Sequence, residues 1–165
     1  MPSCFISIGS NINREHNITS ALGALQTLFG PLQHSSIYES TSVGFSGDAF
    51  YNLVSVFNCK HEPAHITKQL KNIEAEHGRI PSKEKFSSRT LDIDLLLYDQ
   101  QIIHTQKIKI PHPDILNYAF VLEPLAEIAP NQQHPINNQS FAQLWQEFDK
   151  STQQQKRITL PMQTK

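Results

Sequence analysis

Apolar residues fall into short runs and helical repeats that alternate along most of the chain. Cys4-Phe5-Ile6-Ser7-Ile8 is an apolar run closed by Gly9-Ser10-Asn11, which predicts a strand and then a turn. Ile18, Ala21, Leu22, Leu25, Leu28 and Phe29 recur at helical spacing, and Gly30-Pro31 stops them. Residues 32–38 read as a strand and residues 40–47, rich in small polar residues and glycine, as a loop. Residues 51–58, around Leu53-Val54-Ser55-Val56-Phe57, read as a further strand. Pro63 suits the first turn of a helix, on which Ile66, Leu70 and Ile73 share a face until Gly78. Residues 79–88 have no periodicity and a central Pro81, so a mobile loop is expected there.

Residues 91–98 carry the strongest strand pattern in the chain. Ile102-Ile103 and residues 108–110 predict a small hairpin, and a helix follows over about residues 120–126, its start obscured by Pro124. Ser140-Phe141-Ala142-Gln143 is a capping box opening a helix with Phe141, Leu144, Trp145 and Phe148 on one face. The last fifteen residues are polar and glutamine-rich, and a loose tail is expected. The order strand, helix, strand, strand, helix, strand is the β-α-β-β-α-β ferredoxin-like arrangement. The expected class is therefore α+β. It is a two-layer sandwich with helices on one face of the sheet, followed by a C-terminal hairpin and helices.

With 165 residues, one domain over residues 1–150 and a tail over 151–165 are expected. Fourteen basic residues against fifteen acidic give a net charge of −1, which argues against a broad nucleic-acid-binding face. No apolar run approaches the ~18 residues of a membrane span. Met1-Pro2-Ser3-Cys4 lacks the charged start of a signal peptide. Cys4 and Cys59 lie in apolar stretches without metal-ligand spacing, so reduced thiols in a cytoplasmic protein are expected, and a monomer is expected separately.

Chemistry concentrates in Arg89-Thr90-Leu91-Asp92-Ile93-Asp94-Leu95-Leu96-Leu97-Tyr98. Alternation on a strand points Ile93, Leu95 and Leu97 into a core and Asp92 and Asp94 the other way, with Cα atoms roughly 6–7 Å apart. Two carboxylates so placed repel each other unless a cation or water separates them. A strand end dipping into solvent would satisfy them, and so would magnesium shared with substrate phosphates. Arg79, Lys83, Lys85 and Arg89 lie just upstream with only Glu84 among them, a set of cations able to neutralise and orient phosphoryl oxygens. A solvated charged loop is the plainer account of them. The chain has no Gly-rich phosphate loop of the P-loop or kinase type.

The segment from Arg89 to Tyr98 resembles the signature of the 6-hydroxymethyl-7,8-dihydropterin pyrophosphokinase family. Further matches follow in order: Ile8-Gly9-Ser10-Asn11, Tyr38-Glu39-Ser40 to Val43-Gly44, Tyr51-Asn52 and Gly78-Arg79. Ile110-Pro111-His112-Pro113 and Ala119-Phe120-Val121-Leu122-Glu123-Pro124-Leu125 complete the series. Together they cover roughly residues 4–130. The resemblance implies transfer of the β,γ-diphosphate of ATP to the hydroxymethyl oxygen of the pterin, leaving AMP. It implies magnesium, two ions per site, on Asp92 and Asp94. Arg79 and Arg89 would hold the transferring phosphates, with Lys85, Leu95 and His112 at the nucleotide. Ser40, Val43, Phe50, Asn52 and Phe120 would take the pterin. Phosphoryl-type transfer asks mostly for positioning and charge neutralisation, and no Ser or Cys here has an obvious partnered base.

The chain departs from the family pattern at Pro81 and Tyr118, where arginines are common, and at Ser42, Phe86 and Ser87-Ser88. Two phosphate-facing cations are thereby lost, and Lys85 offers a point charge without a guanidinium fork. A pterin- or nucleotide-binding relative without turnover is the alternative. Against it stand Asp92, Asp94, Arg79 and Arg89. A ferredoxin-like nucleic-acid module is disfavoured by near-zero charge and strands lacking paired base-stacking aromatics.

Overall fold

A computed structural model describes residues 1–40, 49–78, 91–151 and 153–159. Strand β1 (Ser3–Ser10) leads into helix α1 (Arg14–Phe29), then β2 (Gln33–His34), β3 (Ile37–Ser40), β4 (Phe50–Asn58) and α2 (Pro63–Glu76). Strand β5 (Asp92–Tyr98) is followed by a separate hairpin of β6 (Ile103–His104) and β7 (Lys109–Ile110). Helices α3 (Asp114–Asn117), α4 (Ala119–Ile128) and α5 (Phe141–Glu147) precede strand β8 (Gln155–Ile158). The main sheet runs β5-β1-β4-β3-β8, with β2 also against β4, and each of these pairings is antiparallel. This is the expected ferredoxin-like order, extended by one edge strand.

Local sequence explains the elements. Ile18, Ala21 and Leu25 bury one stripe of α1, and Gly30, at φ 83°, ends it in a conformation that side chains avoid. Pro63 opens α2, which buries Ile66, Leu70 and Ile73. These two helices cover one face of the sheet with Ile6, Ile8, Leu53, Phe57 and Ile93. A stack of Phe29 on Phe57, 4.4 Å between ring centroids, closes the far end.

The helices do not stay on one face. Val121, Leu122 and Leu125 of α4, with Phe141 of α5, pack on Phe5, Val54, Leu96 and Leu97 across the opposite face. The sheet is thus buried on both sides. The reason is that β1 and β4 carry apolar residues in both phases of their alternation, as central strands covered on both faces do.

Strand details also differ from expectation. Residues 32–38 are two short pieces, because the register on β4 slips by one residue between His34 and Tyr38. Ser35 fills the slip, its N–H reaching the Val54 carbonyl and its hydroxyl accepting from the Val54 N–H. Leu97 does not share a face with Ile93 and Leu95. The β1–β5 register shifts between Phe5 and Ile6, opposite Leu95 and Leu97, so Leu96 is an extra residue and Leu97 turns to the α4 side. The tail is not loose where it is described: β8 pairs with β3, placing Gln155 opposite Ser40 and Arg157 opposite Tyr38. Cys4 and Cys59 are free and buried, and burial pushes the Cys4 thiol up to about 12. No helix among the described residues is long and apolar enough to cross a membrane.

Candidate functional site

One end of the sheet gathers the chemistry. Gly9 of β1 lies opposite Asn52 on β4 and opposite Asp92 on β5, and Asn52 lies opposite Tyr38. Directly opposed residues project to the same face, so Asp92, Asn52 and Tyr38 form one row on the α4 side. The next row sets Asp94 opposite Ser7, itself opposite Val54. Asp92 and Asp94 therefore share a face, as alternation predicts, and both are half-buried.

Helix α3 brings a second acidic group. Ile110-Pro111 is a cis peptide, and the His112 N–H donates to the Leu96 carbonyl at the outer edge of β5. The Asp114 N–H in turn donates to His112 Nδ1 at 3.1 Å, which ties the ring to the start of α3. One ligand atom each from Asp94, His112 and Asp114 lie within 4.8 Å of one another. Burial pushes the Asp94 carboxyl up to about 7, and the negative charges of Asp92 and Glu74 add to it. Two carboxylates and one imidazole converge here, with the Asp92 carboxylate on the same face, and hard oxygen donors of this kind fit a divalent cation such as magnesium.

Glu74 braces β5 from the other side. Its carboxylate is 3% exposed and accepts the Ile93 N–H at 2.7 Å, with Lys71 3.6 Å away. Ile93 lies on an edge strand, so this bond closes a backbone group that has no neighbouring strand.

Ser40, Phe50 and Asn52 assemble beside the acidic row. Ser40 lies opposite Phe50, and Asn52 Nδ2 donates to Ser40 Oγ at 3.4 Å. A Cβ on Gly9 would stand 2.5 Å from Asn52 Oδ1, so the glycine is what lets the Asn52 amide lie across β1. Phe120 sits in the first turn of α4, half-buried, and stacks on Tyr118 with 5.1 Å between ring centroids. Leu95 is elsewhere: its side chain is core on the α1–α2 face, and only its backbone runs beside the aspartates. Val43, Arg79, Lys85 and Arg89 lie outside the described residues.

Three groups escaped the sequence reading. Asp114 is twenty positions from Asp94, and no periodicity links them. Glu74 had a visible signal, since it is four residues beyond Leu70 on the buried stripe of α2. Arg14 had none. It brackets the flanks of residues 41–48, with Nη2 3.0 Å from Glu39, Nη1 donating to the Ala49 carbonyl at 2.6 Å, and the guanidinium 3.9 Å above the Tyr51 ring.

Fold and cluster define a class: a ferredoxin-like α+β protein with paired carboxylates able to hold a cation, beside a polar and aromatic patch on the same face. The pattern of the 7,8-dihydro-6-hydroxymethylpterin-pyrophosphokinase (HPPK) family matches residues 5–130, and the chain belongs to that family. It is 34% identical over 152 residues to a 2-amino-4-hydroxy-6-hydroxymethyldihydropteridine pyrophosphokinase of Haemophilus influenzae, covering 90% of this chain and 94% of that protein. The same identity holds over 138 residues with the enzyme of that name from Aquifex aeolicus, covering 82% and 86%. A crystal structure of Plasmodium falciparum HPPK-DHPS with pterin and p-hydroxybenzoate superposes with a TM-score of 0.70 at 14% identity, which supports the fold. The match covers 88% of this chain and 43% of that one.

Proposed function

We propose that the protein transfers the diphosphate of ATP to the hydroxymethyl group of 6-hydroxymethyl-7,8-dihydropterin and releases AMP, a step of folate biosynthesis. The observation that carries this reading is the Asp92–Asp94 pair with His112 and Asp114 on the same face of the sheet as Ser40, Asn52 and Tyr38. The pterin hydroxyl oxygen attacks the β-phosphorus, the bond from that phosphorus to the oxygen bridging to the α-phosphate breaks, AMP leaves with that oxygen, and the hydroxyl proton passes to solvent. Magnesium, two ions on Asp92 and Asp94, supplies charge neutralisation for the polyphosphate when bound. Arg79 and Arg89 orient the transferring phosphates with bidentate hydrogen bonds. Lys85, His112 and the backbone at Leu95 take the nucleotide. Ser40, Val43 and Asn52 read the polar edge of the pterin, and Phe50 and Phe120 face its ring, an arrangement suited to a flat heterocycle.

Incubation with ATP, magnesium and the hydroxymethyl dihydropterin should give AMP and the pterin diphosphate in equal amounts. Chelation of magnesium should stop the reaction. Tight binding of both ligands with no AMP would replace the enzyme by a binding relative.

A further inference from the structure

The C-terminal segment is tied to the first turn of α4, the turn that carries Phe120. Gln153 Oε1 accepts the Ala119 N–H at 2.8 Å, and Gln153 Nε2 donates to the Asn117 carbonyl at 3.0 Å. Gln155 Nε2 donates to the Ala119 carbonyl and to Glu123 Oε1, each at 2.9 Å. These four bonds surround Tyr118 and Phe120 in sequence.

Ala119, Val121 and Leu122 anchor this turn in the core, but the helical hydrogen bonds of its first residues are incomplete. Tyr118 is extended, φ −131° and ψ 129°, so α4 starts anew after α3; the Val121 and Leu122 N–H groups return to the Tyr118 carbonyl, and the Ala119 and Phe120 amides precede these bonds. Gln153 satisfies one of them. Pro124 has no amide hydrogen to return to the Phe120 carbonyl, which removes an internal bond from the same turn. Phe120 itself is only half-buried.

The orientation of Gln155 is informative. Two acceptors fix its nitrogen, and its Oε1 is then buried without a hydrogen-bond partner among the described residues. The side chain leaves an acceptor unmet while both its donor bonds go to α4. Pairing of Gln155 with Ser40 anchors this clamp to the end of the sheet where Asn52 also lies.

We propose that Gln153 and Gln155 are positioning residues of the pterin site: they hold the first turn of α4, and with it the Phe120 ring, at the pterin face. The inference rests on the reading of Phe120 as a pterin contact. It distinguishes the two ligands. Loss of the clamp lowers pterin affinity and leaves nucleotide affinity alone.

The test measures dissociation constants of 6-hydroxymethylpterin, with a saturating non-hydrolysable ATP analogue and magnesium, and of the ATP analogue by itself. The Gln153→Ala/Gln155→Ala variant should bind the pterin roughly tenfold more weakly. Its affinity for the ATP analogue should stay within about twofold of the parent, a split that general loss of structure would not produce. Adding the two changes to Phe120→Ala should cost no further pterin affinity, because the clamp acts through that ring. Gln155→Glu, which sets a carboxylate against the Ala119 carbonyl and Glu123, should shift pterin affinity the same way and serves if the double variant does not fold. Unchanged pterin affinity, or equal loss of both ligands, overturns the inference. If Phe120→Ala binds pterin like the parent, the reading of Phe120 falls and the inference falls with it. If Phe120→Ala weakens binding while the glutamine variants do not, the inference falls alone.

Discussion

Gly9 decides where Asn52 can lie. The Cβ of an alanine there would meet Asn52 Oδ1 at 2.5 Å, and the atom that must yield is the tip of a side chain and not backbone. Gly9→Ala should therefore leave the fold nearly unchanged and weaken pterin binding by roughly tenfold, the scale of one or two lost hydrogen bonds. A melting curve and a pterin titration on the same sample check this. A large drop in melting temperature with intact affinity would contradict it. Asp92 and Asp94 should behave in the opposite way. Alanine at either position removes one of two adjacent like charges, so the apo protein should melt no lower than the parent. Turnover should fall ~10³-fold or more if these carboxylates hold the cations. Activity near that of the parent at saturating magnesium would sink the metal assignment. The aspartates were legible in the sequence because two residues on a strand return to the same face. Gly9 read only as part of a turn, because what it permits lies on another strand.

At the scale of elements, β5 is an edge strand whose outer backbone is closed by side chains and by the chain that follows it. Glu74 from α2 takes the Ile93 N–H, and His112 takes the Leu96 carbonyl. Glu74→Ala should lower stability by ~1–3 kcal/mol, the usual result of leaving a buried N–H unpaired, and Glu74→Gln should recover most of it through the amide oxygen. Urea unfolding of both variants tests this, and equal loss in the two would remove the hydrogen bond as the cause. Order and type of the ferredoxin-like elements were readable from apolar spacing, since helix and strand periods differ. The breaks were not. The extra residue at Leu96 turns Leu97 to the other face without any Gly or Pro to mark it. Strand β8 has no apolar alternation: Gln155 and Arg157 face α4 and Tyr38, while Lys156 reaches Glu39 on the opposite side at 3.6 Å. Its inward positions are polar and hydrogen-bonded, and hydrophobic pattern is blind to such a strand.

Across the whole molecule, closing the second face of the sheet depends on a polar lock as well as on apolar packing. Glu127, near the end of α4, accepts hydrogen bonds from the Tyr38 hydroxyl at 2.7 Å, the Ser36 hydroxyl at 2.7 Å and the Ser36 N–H at 3.1 Å. Arg157 of β8 donates to the same Tyr38 oxygen at 3.1 Å, so α4, β3 and the last strand meet around the Tyr38 hydroxyl. Burial alone would raise the Glu127 carboxyl, but the bonds from Tyr38 and Ser36 outweigh it and hold the carboxyl below its ordinary value. Burial and the neighbouring Glu127 charge push the Tyr38 phenol up, which keeps it a donor at every pH of interest. The sign follows from linkage. A carboxyl that is more acidic folded than unfolded contributes stability fully above its unfolded value, about 4.3 for glutamate, and loses it as pH falls through its lower folded value. The parent should therefore lose stability between about pH 5 and pH 3 more steeply than Glu127→Gln, whose amide cannot titrate. At pH 7 Glu127→Gln should be the less stable of the two, because an amide accepts the phenol and hydroxyl bonds more weakly than a carboxylate does, and the gap should narrow toward pH 3. Denaturant midpoints for both proteins at pH 3, 5 and 7 measure this directly. Parallel pH profiles would show that the lock carries no pH-dependent stability and that the apolar contacts of α4 close the second face unaided.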